Sequence, residues 1–169
     1  MAQIGDKVPM CENLYVARGE SDHVDVILSS DIFKGKKVVA AGITSAFSNL
    51  DCKYMLEEYS RSYDDFKRRG IDDVVILSCN DPLVLRAWAK DQPGVEKLRI
   101  ISDGDTDFHR GLDMAYKIPG MGVRCKRYGM VVVDGVIKHL NVDEAGPHSH
   151  IISTPKYLLE ELDRGSFNN

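Results

Sequence analysis

Short apolar runs alternate with helix-like stretches along this chain. The segment Lys36–Ile43 is mostly a continuous apolar run, as expected of a strand buried on both faces of a sheet. Similar runs at Val74–Cys79 and Leu98–Ser102, and a shorter one at Val24–Leu28, predict further strands. Strand-like runs that alternate with helical stretches are typical of an α/β protein, so this fold class is predicted.

The stretches between these runs follow a helical period. Ser48 is predicted to cap a long helix that ends before Gly70. Its apolar positions recur at spacings of three and four, which predicts one buried stripe. Asp81-Pro82 and Thr154-Pro155 predict two further helix starts, and another helix is predicted over Thr106–Tyr116. The buried stripe of the first helix consists of Leu56, Tyr59, Tyr63 and Phe66.

An Asp134-Gly135 pair separates two strand-like runs, Tyr128–Val133 and Val136–Val142. This pair favours a two-residue type I′ turn, so the two runs are predicted to form a β-hairpin. The strands and helices together predict a central mixed sheet with helices on both faces. No repeat or linker interrupts the chain, and a single domain over residues 1–169 is expected.

Composition and charge indicate which classes of binding partner are expected. The net charge is −4, which gives no reason to expect nucleic acid or an anionic membrane as a partner. No apolar run approaches the roughly 20 residues of a membrane span. The first residues lack the pattern of a secretory signal or a transit peptide, so a cytoplasmic location is expected.

Four cysteines are scattered along the chain without C-x-x-C spacing, and no metal site is predicted. His148 and His150 are close in sequence but have no nearby cysteine or second histidine pair, so they are interpreted as a solvated loop. Cys79 ends a predicted buried strand and is interpreted as a small apolar core residue. Cys125 lies between two basic residues and is interpreted as an exposed strand start. The other two cysteines are Cys11 and Cys52.

Motifs over nearly the whole chain, from Ile4 to the last helix, occur in a characteristic order and spacing. They are Phe33–Val39, the turn from Gly42 to Phe47, Leu77–Asp81, Trp88, Ile101–Asp103, Arg127–Val132 and Val136–Val142. In this arrangement they resemble the atypical type II peroxiredoxins. The resemblance implies a thioredoxin-like fold made of one redoxin domain, thiol-dependent reduction of hydrogen peroxide and alkyl hydroperoxides, a homodimer and no cofactor.

The active-site motif of that family, P-G-A-F-T-P-x-C, falls without gaps on the segment Thr44–Asp51. Asp51 stands where the family has its peroxidatic cysteine. Ser48 keeps the hydroxyl that would orient the peroxide, and Arg127 matches the family's arginine. Thr44 and Asn49 replace the two prolines of the motif. The resemblance therefore implies a pocket whose reactive thiol has been replaced by a permanent anion, with Asp51 within ion-pair range of Arg127.

Two functions follow most directly from this replacement, and a third is a protein that binds an acid or a peroxide-shaped ligand without turnover. In the first, the protein is a degenerate peroxiredoxin whose peroxidase activity is lost or very weak, because a carboxylate has no sulfenic state to enter. In the second, Cys52 enters the pocket through a shift of the helix by one residue. It then acts as a one-cysteine peroxidase that glutathione or a thioredoxin-like protein reduces. The family's occasional resolving cysteine would fall near Ile151–Ser153, where the sequence has none.

Overall fold

A computed structural model describes residues 1–144 and 151–165. Its strands are β1 (Leu14–Val16), β2 (Val26–Ile27), β3 (Lys37–Ile43), β4 (Asp73–Ser78), β5 (Arg99–Ser102), β6 (Ala115–Ile118), β7 (Gly122–Cys125), β8 (Tyr128–Val133) and β9 (Val136–Val142). Its helices are α1 (Ser29–Phe33), a π-helical segment (Asp51–Glu57), α2 (Glu58–Arg61), α3 (Tyr63–Arg68), α4 (Pro82–Asp91), α5 (Asp107–Gly111) and α6 (Pro155–Asp163). The predicted His148 and His150 loop lies outside the described residues.

The main sheet has seven strands in the order β2-β1-β5-β4-β3-β8-β9. Strands β3, β4 and β5 are parallel, whereas β8 pairs with β3 in the antiparallel direction. The central sheet is therefore mixed, as predicted. Strands β6 and β7 form a separate antiparallel pair.

Strand β3 lies between two hydrophobic clusters, one on each face of the sheet. Val39 and Ala41 belong to the cluster that includes Trp88 and Leu158, from α4 and α6. Val38 and its neighbours on the other face belong to the cluster that includes residues of α1 and α5. The predicted helices on both faces are thus confirmed, and the continuous apolar run of β3 is explained by burial on both sides.

The helix after β3 begins as predicted and then departs from regular α geometry. The Ser48 hydroxyl accepts a hydrogen bond from the backbone N–H of Asp51 at 3.1 Å, as an N-cap does. From Asp51 the helix is π-helical for seven residues before α2 continues it. A π-helical segment inside a helix is rare and frequently marks a functional site. Gly70, with φ of 84°, follows α3 as the predicted helix end.

Two predictions of local structure were wrong. The helix predicted over Thr106–Tyr116 ends at Gly111, and the chain continues into β6 and β7. The turn between these strands has Pro119 and Gly120 at its centre, and Gly120 has φ of 79°. Proline followed by glycine favours a type II turn, a signal that apolar periodicity alone does not reveal. The strand predicted over Val24–Leu28 is reduced to the two residues of β2.

The predicted hairpin is confirmed. Asp134 and Gly135 both have positive φ, 47° and 76°, as a type I′ turn requires, and Val133 pairs with Val136. Among residues 1–144 and 151–165, no helix is long and apolar enough to cross a membrane.

Candidate functional site

The candidate pocket forms where the carboxyl end of β3 meets the amino end of β8. These ends are neighbours because the two strands are antiparallel and Gly42 pairs with Tyr128. The chain that leaves β3 carries Thr44 and then turns into the helix that begins near Asp51. The residue before β8 is Arg127. The fold therefore brings together two segments that lie 76 residues apart in sequence.

Asp51 and Arg127 form a bidentate ion pair. Arg127 Nε donates to Asp51 Oδ1 at 2.7 Å, and Nη2 donates to Oδ2 at 3.2 Å. The Asp51 side chain is fully buried, whereas the Arg127 side chain remains 23% exposed. Burial lowers the pKa of Arg127, but its hydrogen bond and charge interaction with Asp51 outweigh this, and the net pKa is raised. The predicted ion pair is confirmed.

Two further donors hold the same carboxylate. The Ser48 hydroxyl donates to Asp51 Oδ2 at 2.7 Å, and the backbone N–H of Ser45 donates to it at 3.0 Å. The one hydroxyl of Ser48 thus serves both the backbone N–H and the carboxylate of Asp51. Together with Arg127, these groups form an anion-binding site at the start of a helix, and the carboxylate of Asp51 fills it.

Thr44 lies beside this site but binds elsewhere. Its hydroxyl donates to the backbone carbonyl of Cys125 at 3.1 Å, and the residue is buried. The bond ties the end of β3 to the segment that precedes Arg127. Thr44 therefore contributes to the position of the arginine rather than to the contacts of the carboxylate.

Cys52 lies in a different environment from Asp51. Its sulfur accepts a hydrogen bond from the indole N–H of Trp88 at 3.1 Å, and the side chain packs against the hydrophobic cluster that contains Trp88. Adjacent residues on a helix point about 100° apart, which accounts for this separation. Cys52 could enter the pocket only if the helix were shifted by one residue. The helix is irregular from Asp51 onward, but the residue that contacts Arg127 is Asp51 and not Cys52.

Sequence reasoning missed a second cluster of polar and thiol side chains. Cys79, His109 and Cys125 are all buried, and one potential ligand atom of each lies within 4.8 Å of the others. The interpretation of Cys125 as an exposed strand start was wrong, since this residue is fully buried and its sulfur lies 3.1 Å from the carbonyl oxygen of Ile43. The residues are far apart in sequence, so spacing gave no signal. In the part of the chain that the structure describes, they are the one group of this kind.

Comparisons with known proteins agree with this architecture. A family model described as Redoxin matches residues 3–156. The mitochondrial Peroxiredoxin-2F of Arabidopsis thaliana is 37% identical over 135 residues, which cover 79% of this chain and 67% of the relative. A peroxiredoxin of Rhizobium etli is 32% identical over 146 residues, which cover 82% of this chain and 81% of the relative.

The solved structure of reduced Prx3 from Vibrio vulnificus in complex with H2O2 is also similar. It has a TM-score of 0.86 and 28% identity, with 99% of each chain covered. This similarity confirms the predicted thioredoxin-like fold. The relatives include proteins named as mitochondrial and chloroplastic, so the cytoplasmic location stays a prediction. The extent of the family match and the identity with these relatives show that the chain belongs to the Redoxin family, among the peroxiredoxins.

Proposed function

We propose that this protein is a degenerate peroxiredoxin of the type II group, in which the pocket at position 51 no longer reduces peroxides. Its role would be that of a binding or regulatory protein. The family performs thiol-dependent peroxide reduction, so the proposal concerns what the replacement of one residue does to a retained fold.

The observation that carries the proposal is that the anion-binding site is filled by the chain itself. A peroxidatic thiolate, and the charge that develops on the peroxide, need stabilisation by the arginine, by a hydroxyl group and by the N–H groups at the helix start. Here Arg127, the Ser48 hydroxyl and the Ser45 N–H all bind the Asp51 carboxylate. These donors are therefore engaged before any peroxide arrives.

The chemistry of the carboxylate supports the same conclusion. A carboxylate is a poor nucleophile toward the O–O bond and has no sulfenic state from which a thiol could regenerate it. Its negative charge resembles that of the sulfinate formed when a peroxidatic cysteine is over-oxidised. Asp51 would therefore hold the pocket permanently in a state like the over-oxidised one.

The competing function, a one-cysteine peroxidase using Cys52 and an external thiol, has less support. The Cys52 sulfur contacts Trp88 and the hydrophobic cluster, whereas Arg127 binds Asp51. For Cys52 to react in the pocket, the first helical turn would have to rotate and break the Asp51 ion pair. Breaking a buried ion pair by removing one partner costs about 3–5 kcal/mol, which makes this rearrangement unfavourable.

The test restores the thiol. Asp51→Cys should raise the second-order rate of hydrogen peroxide reduction by orders of magnitude over the wild type, because the helix start, Ser48 and Arg127 then stabilise a thiolate. Rapid-mixing measurements with an excess of a reducing thiol give both rates. Asp51→Ser is the matched control, since it vacates the pocket without adding a thiol, and it should stay as slow as the wild type.

Two results would contradict the proposal. One is a fast wild-type peroxidase whose activity Cys52→Ser abolishes, since this would make Cys52 the catalytic residue. The other is an Asp51→Cys variant that folds, as shown by circular dichroism, but stays inert. Recovery is expected to be partial, because Thr44 and Asn49 replace the family's prolines.

A further inference from the structure

Cys79 and Cys125 bring two thiols together behind the Asp51 pocket. Cys79 directly follows β4 and is 7% exposed, and Cys125 ends β7 and is fully buried. Each sulfur lies within 4.8 Å of the other and of a ring nitrogen of His109, which is on α5. The proposed function of the Asp51 pocket uses none of these three side chains.

The imidazole of His109 is held rigidly beside Cys79. Its Nδ1 lies 2.7 Å from Asp103 Oδ2 and 3.6 Å from Cys79 Sγ, while its Nε2 lies 2.9 Å from the Tyr128 hydroxyl. Asp103 is itself fixed, because it accepts the backbone N–H groups of Phe108 and His109. The same nitrogen, Nδ1, thus faces both the Asp103 carboxylate and the Cys79 sulfur, and an N–H at this position favours the thiolate form of Cys79.

The two thiols differ in their protonation. Hydrogen bonding with Cys125 lowers the pKa of Cys79, burial opposes this and hydrogen bonding with His109 reinforces it, so that the pKa falls to about 6. Burial, and then hydrogen bonding with Cys79, raise the pKa of Cys125 well above its ordinary value. One sulfur is therefore a thiolate near neutral pH while the other keeps its proton. The thiolate is the form that attacks a peroxide, so Cys79 is the sulfur that reacts first, and Cys125 must give up its proton as it attacks in turn.

We propose that Cys79 and Cys125 form a second thiol site, in which a hydroperoxide oxidises the pair to an intramolecular disulfide. The Cys79 thiolate attacks one peroxide oxygen and the O–O bond breaks. The leaving alkoxide or hydroxide takes a proton from the His109 imidazolium, so that Cys79 becomes a sulfenic acid and an alcohol or water departs. Cys125 then attacks the Cys79 sulfur, the S–S bond forms, the S–O bond breaks and the hydroxyl leaves as water with the Cys125 proton.

This site oxidises more slowly than a peroxiredoxin pocket. Arg127 donates to Asp51 and not to Cys79, so the charge on the departing oxygen lacks the donors that accelerate the family's reaction. The expected rate is that of an ordinary thiolate. A slow, stoichiometric oxidation at Cys79 is therefore compatible with the loss of peroxidase activity at position 51, and it does not depend on that loss.

A metal ion fits the cluster less well than a disulfide. Both imidazole nitrogens already have hydrogen-bond partners, Asp103 on one side and Tyr128 on the other. In this cluster a zinc ion would take His109 as one of its ligands, and the metal would have to displace one of these two hydrogen bonds. Zinc bound at these thiols would therefore contradict the proposed disulfide.

The experiment treats the full chain with one equivalent of hydrogen peroxide, blocks the remaining thiols and records intact mass and a peptide map. The expected product has lost two hydrogens and contains a Cys79–Cys125 linked peptide that dithiothreitol separates. Cys79→Ser should abolish this product. Cys125→Ser should leave a sulfenic acid at Cys79 that dimedone traps. Cys11→Ser is the matched control, because Cys11 is also a buried thiol but burial raises its pKa, and this variant should form the disulfide unchanged.

Three results would overturn the proposal. They are oxidation of Cys52 in place of Cys79, survival of all four thiols after prolonged exposure to the peroxide, and purified protein that carries one zinc ion which blocks both thiols from alkylation. The wild-type peptide map decides among them even if a serine variant fails to fold. A fast peroxidase reaction lost in Cys52→Ser would count against the proposed function alone, and a missing linked peptide against this site alone.

Discussion

At the scale of single residues, the most informative position is Asp51. Its partner could be predicted from sequence, because the motif fixes the register of Thr44–Asp51 and Arg127 lies in a second matching motif. The Ser45 N–H was not predicted as a donor, since its direction depends on how the chain turns after β3. A motif match therefore identified which side chains meet, and the structure added the backbone donor that completes the carboxylate's contacts.

The titration of Cys79 gives a prediction at the same scale. Thiolate absorbance near 240 nm should rise with a midpoint near pH 6, because hydrogen bonding with Cys125 and His109 lowers the pKa of Cys79 to about 6. The rise should disappear in Cys79→Ser and persist in Cys11→Ser. An unchanged spectrum between pH 5 and pH 8 would show that Cys79 stays protonated.

The lowered pKa of Cys79 also makes the stability of the fold depend on pH in a defined direction. A folded pKa below the unfolded value of about 8.5 means that Cys79 adds stability above that pH, and this contribution is lost as pH falls through about 6. The contribution of His109 to stability changes with pH in the opposite direction. Burial lowers its pKa, but hydrogen bonds with Asp103 and Cys79 raise it overall, so its contribution is complete below its unfolded pKa and is lost as pH rises through the folded value.

At the scale of the elements, long apolar runs and turn signals were sufficient for β3, β4 and the β8–β9 hairpin. The β6–β7 pair was missed, because its first strand has no buried residue and the first half of that strand was assigned to the preceding helix. That error also hid the second thiol site. Strand β7 carries Cys125 back into the core, whereas a helix over Thr106–Tyr116 gives no reason to bury it.

The close packing of β3 against β8 gives a prediction about Gly42. A Cβ at this position would lie 2.1 Å from Cε1 of Tyr128, which is fully buried between the strands and the His109 ring. Gly42→Ala should therefore destabilise the fold by about 1–3 kcal/mol through overpacking, measured by urea unfolding. In a Tyr128→Leu background the same substitution should cost much less. Equal costs in the two backgrounds would show that the ring is not what the glycine accommodates.

At the scale of the whole molecule, the homodimer that the resemblance implies is expected to form through the surface around the pocket. Phe47 is 51% exposed with φ of 67°, and Leu83 is 45% exposed at the start of α4. The loop that carries Phe47 is joined to the segment that precedes α4 by a hydrogen bond from the Ala46 N–H to Asn80 Oδ1 at 2.9 Å. A bulky residue with positive φ is unusual, and here it leaves an aromatic ring half exposed to solvent.

If this surface forms the dimer contact, Phe47→Glu should convert a dimer into a monomer. The reason is that it would bury a charge without a partner at the interface. Sedimentation velocity at several protein concentrations measures the change. Ile4→Glu is the control, because Ile4 is 62% exposed and its neighbour Gly5 bonds to Ile137, at the opposite end of the sheet. A wild-type protein that stays monomeric at high concentration, or an Ile4→Glu variant that dissociates equally, would contradict the assignment.

The ion pair at position 51 also fixes how the molecule can respond to its surroundings over time. In a pocket built around cysteine, oxidation changes the chemical state of that side chain, and reduction restores it. Asp51 carries the same charge whatever the oxidant level has been, so any partner that recognises this face receives a constant signal. Any change that depends on oxidation would therefore have to occur in this chain on thiols outside the pocket.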